Sequence, residues 1–148
     1  EYAMRDLVRQ AKQKYDYILM DSPAGLGEGF RLACCGADRA IVVSTTDSSA
    51  LRDAQRTVSV LRKQLPQLHL VVNRVQPKLL RRLHTTIDDA MDTAGLPLLG
   101  IVPEDPQVLL CANQGTPLIL RASRGAAIAY LNIARRLLGQ RVPLMKLH

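Results

Sequence analysis

A chain of 148 residues, 47% of them apolar, is the size of one domain and carries enough apolar side chains for a core. Aromatics make up only 3%, with no Trp and one Phe, so that core must come from Leu, Ile, Val and Ala, the mix of helices packed on a parallel sheet. No apolar run approaches the roughly 18 residues of a membrane span, and a net charge of +7, dispersed and without interleaved aromatics, favours anionic partners but does not mark a nucleic-acid surface.

The opening stretch 1–14 predicts a helix already under way, with Met4, Leu7, Val8 and Ala11 on one stripe, as if the chain began mid-protein. Tyr17-Ile18-Leu19-Met20 then predicts a short buried strand that stops at Asp21. After the loop Ser22-Pro23-Ala24-Gly25, a helix is expected over 28–35, a turn at Gly36 and Asp38, and a second buried strand over 40–45. Asp47 or Ser48 can cap a long helix reaching 65, with Leu51, Ala54, Val58, Leu61 and Leu65 inside and Arg52, Arg56 and Arg62 outside, before Pro66 ends it. A third strand over 68–73 is followed by a helix over 78–94, interrupted near His84 and stopped by Gly95. A fourth strand follows over 98–102. Pro103-Glu104-Asp105-Pro106 breaks it and opens a short helix over 107–113 that Gly115 and Pro117 end.

The last helix is expected over 123–138, packing Ala127, Tyr130, Leu131, Ala134, Leu137 and Leu138 on the sheet opposite Arg124, Arg135 and Arg136. A short tail, 140–148, completes one unit spanning 1–148. Strand and helix in this rhythm imply an α/β fold, three layers in the order α/β/α, with a mostly parallel sheet and right-handed crossovers. Cys34, Cys35 and Cys111 are odd in number and two are adjacent, so they read as reduced and structural, and with no signal peptide the expected compartment is the cytoplasm.

Open parallel sheets build their sites at the carboxyl ends of the strands. Three polar clusters stand there: Asp21-Ser22-Pro23-Ala24-Gly25, Asn73-Arg74 and Pro103-Glu104-Asp105. One such acid could simply cap a turn; three clusters on one edge favour a site. An acid at the end of an apolar strand can hold Mg²⁺ or its water beside nucleotide phosphates.

The string from Tyr15 to Gly25, together with Gly36-Ala37-Asp38-Arg39-Ala40-Ile41-Val42-Val43, Leu51-Arg52-Asp53-Ala54, Val72-Asn73-Arg74 and Ile101-Val102-Pro103-Glu104-Asp105, resembles the MinD/ParA family of deviant Walker ATPases, and its MinD branch above all, in order along nearly the whole chain. The resemblance implies that Asp21 is the catalytic-site acid near Mg²⁺ and that Ser22, Pro23, Ala24 and Gly25 sense the γ-phosphate of ATP. It implies further that Asn73 bonds the adenine edge, that Arg74 stacks beside it, and that Pro103, Glu104 and Asp105 close the base pocket. An amide both donates and accepts, as an adenine edge requires, and guanidinium planes stack well on bases.

Ser49, Arg52 and Asp53 would lie near the surface used by the dimer mate and by MinC-like and MinE-like regulators. The bland alternative for them is a solvated helix face.

Three departures limit the transfer. There is no Gly-Lys-Thr or Gly-Lys-Ser, so ATP and Mg²⁺ are expected only with an N-terminal half, and these residues alone are expected to be inactive. Thr45-Thr46-Asp47-Ser48 replaces the family's usual proline and glutamate. The tail offers only Leu144, Met145, Lys146 and Leu147 as the start of the amphipathic membrane helix of the intact, ATP-bound form. The implied role is ATP-dependent dimerisation and membrane recruitment in division-site placement. A ParA-like DNA-segregation or flagellar-number ATPase is the nearest rival, though DNA is not the expected partner, and a non-catalytic interaction module is the rival from another class.

Overall fold

The structure is a computed structural model that describes residues 1–145. Among these residues three strands form one parallel sheet in the order β1 (Arg39–Ser44), β2 (Gln67–Val75), β3 (Leu98–Pro103). Each strand follows its neighbour through a crossover on one face, by α3 (Ser48–Leu61) and then by α4 (Pro77–Leu83) and α5 (Ile87–Ala94). On the other face lie α6 (Pro106–Asn113), a 3₁₀ turn over Leu118–Leu120 and α7 (Ala126–Leu137). The three-layer α/β/α reading therefore holds.

Alternation along the strands divides the core. Val42, Leu68, Leu70 and Val72 meet Leu51, Ala54, Val58 and Leu61 of α3 and Ala90 and Ala94 of α5. Val71, Leu99 and Val102 meet Ala126, Ala127 and Ala129 of α7 with Cys111 and Leu118. A sheet clothed on both faces explains why its strands read as continuous apolar runs.

Local chemistry fixes the helix ends. Asp47 caps α3, accepting from the Ser49 and Ala50 amides, both at 3.1 Å. The expected interruption at His84 is real: His84 has φ 51°, and Thr86 restarts the chain as α5 with a capping box in which its hydroxyl accepts from the Asp89 amide while Asp89 accepts from the Thr86 amide.

Three expectations need correction. The helix at the start is shorter, α1 (Tyr2–Ala11), and of its stripe only Val8 is fully buried, with Leu7 exposed, whereas α2 (Glu28–Cys34) lies where expected. Residues 17–20 carry no regular secondary structure and form no strand. A strand exists only through a ladder, and among the described residues no backbone hydrogen bond joins this segment to another element; Leu19 is 87% exposed.

On α7 the buried face is also rotated from the expected stripe. Ala126, Ala127 and Ala129 are buried, whereas Tyr130, Leu131 and Leu138 are exposed. The small residues let the helix approach Gly100 of β3 so closely that a Cβ there would run into Ile133. Arg136 turns inward as well, its guanidinium donating to the carbonyls of Leu99 (2.8 Å), Val142 (2.9 and 3.1 Å) and Pro143 (2.7 Å), which ties the tail back to β3. Leu144 and Met145 are not helical, and the remainder of the expected membrane helix, Lys146 and Leu147, lies outside the described residues.

Candidate functional site

The carboxyl end of β2 is irregular in a way that presents side chains. Pairing with β3 shifts between Val72 and Val75, leaving Asn73 and Arg74 as a bulge. Asn73 Oδ1 accepts the Arg74 amide at 2.9 Å, and Arg74 takes φ 55°, the left-handed region, which costs a non-glycine residue about 1–2 kcal/mol. Such a conformation persists only where its surroundings hold it. Here the Arg74 Nε donates to Glu104 Oε2 at 2.9 Å, and the Glu104 amide donates to the Val75 carbonyl at 3.0 Å. The Arg74 and Glu104 side chains are exposed, so the ion pair contributes at most about 1 kcal/mol and serves mainly to aim the guanidinium.

Beside it, Pro103 ends β3 and Asp105 is occupied structurally. One carboxylate oxygen accepts the Gln107 amide at 3.0 Å and so caps α6, and the other accepts the Ala126 amide at 3.1 Å at the start of α7. A Cβ on Gly125, φ 60°, would collide with that second oxygen, so glycine is required there. Asp105 thus closes the edge by clamping two helix N-termini, a role that the Asp-Pro helix start signals only by half.

Asp21, Ser22, Pro23, Ala24 and Gly25 follow the 17–20 segment and are all exposed. They line a cleft together with Ser44 and Thr45 at the end of β1, Asp53 of α3 and Asn73 of β2, among others. Asp21 therefore shares an opening with Asn73, while Arg74, Pro103, Glu104 and Asp105 stand along the same strand-end edge.

Ser49 and Arg52 do not line that cleft; they are exposed on the first turns of α3. The Ser49 hydroxyl is engaged by Asp47, whose carboxyl is held below its ordinary range by that hydroxyl first and by the Ala50 amide second. Asp53 pairs with Arg56 at 3.4 Å. Ser44 and Thr45 are among the lining residues that strand patterning alone did not single out as site members.

Septum site-determining protein MinD of Bacillus subtilis (strain 168) is 41% identical to the chain over 147 residues, 97% of the chain and 55% of that relative. The chain belongs to the MinD family. It spans about half the length of the curated MinD relatives it matches. Among solved structures, MinD of Aquifex aeolicus superposes with a TM-score of 0.91 at 34% identity, over 96% of this chain and 62% of that one. The MinC:MinD complex of the same organism gives 0.90 at 33%, covering 96% and 60%. MinD of Pyrococcus horikoshii OT3, complexed with Mg-ADP, gives 0.80 at 29%, covering 90% and 55%. No protein-family model matches the chain.

Proposed function

We propose that these residues form the base-side and Mg²⁺-side part of a MinD ATPase that acts in division-site placement. The observation that carries the reading is the placement of Asn73 and the Arg74–Glu104 pair at the carboxyl end of β2, with Asp21 and Asn73 lining one cleft. Arg74 is held in a costly backbone conformation at the place where a base would be met. The Pyrococcus relative's complex with Mg-ADP supports a nucleotide diphosphate with its metal as the ligand class.

A single exposed carboxylate such as Asp21 suits Mg²⁺, which keeps several waters and takes one or two carboxylates together with substrate phosphates. When bound, that ion would neutralise phosphate charge as it develops. Asn73 and Arg74 would bind the base through the amide and the guanidinium plane, and Pro103, Glu104 and Asp105 would limit its pocket. Ser22, Pro23, Ala24 and Gly25 would meet the terminal phosphate from the facing wall. A phosphate cradle is not encoded between Glu1 and His148, so turnover requires the remainder of the MinD length.

The exposed first turns of α3, with Ser49, Arg52 and Asp53, are the surface we assign to the dimer mate and to MinC-like and MinE-like regulators; the Aquifex complex with MinC supports a MinC-type partner. Among the described residues no helix is long and apolar enough to cross a membrane. Recruitment of the intact ATP-bound protein from the cytoplasm would be peripheral.

The test is titration of fluorescent Mg-ADP into a protein that joins these residues to the rest of the MinD length. Asn73→Ala should weaken binding about tenfold, the loss of one or two hydrogen bonds to the base. Equal affinity of the variant, or tight Mg²⁺-dependent binding by residues 1–148 alone, would sink the proposal.

A further inference from the structure

Charge is not shared evenly between the two helical layers. The stretch from Pro106 to His148 holds no Asp or Glu and six of the chain's 20 Lys and Arg, so six of its seven net positive charges arise there. Apart from the tail, that stretch folds into α6, the 3₁₀ turn and α7, the layer packed on Val71, Leu99 and Val102. Arg136 turns inward onto backbone carbonyls, whereas Arg121 and Arg124 are exposed and form no ion pair among the described residues. The acid nearest in sequence, Asp105, is committed to the amides of Gln107 and Ala126. The same layer presents large apolar side chains to solvent. α6 and the 3₁₀ turn pack together through Cys111 and Leu118, while Leu109 is 68%, Leu110 50%, Ile119 48% and Leu120 73% exposed. Protruding apolar tips rimmed by cations, with no acid between them, are the composition of a surface that meets an anionic bilayer.

We infer that the ridge formed by α6 and the 3₁₀ turn is a contact surface for an anionic lipid bilayer, with Leu109, Leu110, Ile119 and Leu120 entering the headgroup boundary and Arg121 and Arg124 meeting lipid phosphates. This surface belongs to the folded layer and is separate from the amphipathic helix expected from Leu144 onward. It extends the peripheral recruitment proposed above but stands on the charge and exposure of this layer alone. Other occupants fit less well. A second copy offering the same ridge would bring cation to cation across an acid-free face. Nucleic acid would leave four apolar side chains against phosphates, and Tyr130 is the one aromatic between Pro106 and His148 on which a base could stack.

The experiment needs no nucleotide, so its outcome is independent of the base-binding proposal. The 148-residue chain is sedimented at about 0.1 M salt with phosphatidylcholine vesicles, either alone or containing about one third phosphatidylserine. It should bind the anionic vesicles, release as salt rises, and ignore the neutral ones. Arg121→Gln with Arg124→Gln should weaken binding about twentyfold, near fivefold per cation, and Leu109→Gln with Leu120→Gln about tenfold. Both pairs should melt with the parent, because all four side chains are exposed. Lys78→Gln with Arg82→Gln removes the same charge from α4 on the other layer and should change binding by less than about twofold. A chain ending at Pro143 should still bind. Absence of binding to the anionic vesicles, its abolition in the chain ending at Pro143, equal weakening by the α4 pair, undiminished binding by the leucine pair, or tighter binding to duplex DNA than to the vesicles would each overturn the inference.

Discussion

Arg74 and Asp105 separate what a residue does for the fold from what it offers a ligand. Arg74 sits at φ 55°, so Arg74→Gly and Arg74→Ala both lose the Glu104 pair but only glycine relieves the backbone. The glycine variant should be the more stable of the two by about 1 kcal/mol, roughly 2–4 °C in a thermal melt, and both should lose base affinity. A melt in the reverse order would mean that the left-handed backbone is not strained. Asp105→Ala removes the carboxylate from two helix N-termini at once and should cost about 1–3 kcal/mol, measurable by urea denaturation. From the sequence, Asp105 is legible as a helix cap through the following proline; the reach to Ala126, 21 residues on, is a tertiary contact that no local pattern encodes.

Helices announced themselves in proportion to the chemistry at their ends. The core face of α3 was readable residue by residue because Asp47, an apolar stripe of period 3.6 and Pro66 all agree. The face of α7 was not, because Tyr130, Leu131 and Leu138 point out while Ala126, Ala127 and Ala129 point in; the deciding fact is the closeness of β3 at Gly100, which only the fold supplies. For α5 the capping box is the stop-and-start signal, and Thr86→Ala should lower stability by about 1 kcal/mol. Asp89 adds a pH dependence. Its carboxyl is held below the ordinary value of 3.8, chiefly by the Thr86 hydroxyl and then by the Thr86 amide. The folded state therefore binds fewer protons than the unfolded one in this range, so the contribution is complete above about pH 4 and is lost as pH falls through the lowered folded value. The urea midpoint of Asp89→Asn should fall less steeply than that of the parent chain below about pH 4.

At the scale of the whole molecule, the apolar segment 17–20 is the instructive failure. Its residues have strand character, yet strand identity is a property of pairs, and the pairing partner is not among the elements described. Composition and alternation thus revealed the parallel sheet and put three polar clusters at its strand ends, while which apolar segments pair stayed hidden. The same open edge sets a physical liability. Val43 of β1 is 59% exposed beside unpaired backbone, the combination that templates edge-to-edge association. Val43→Lys should slow aggregation of the isolated chain, followed by light scattering, while shifting its stability by no more than about 0.5 kcal/mol, since little apolar area is lost from the core. Undiminished aggregation of Val43→Lys would place the associating surface away from the β1 edge.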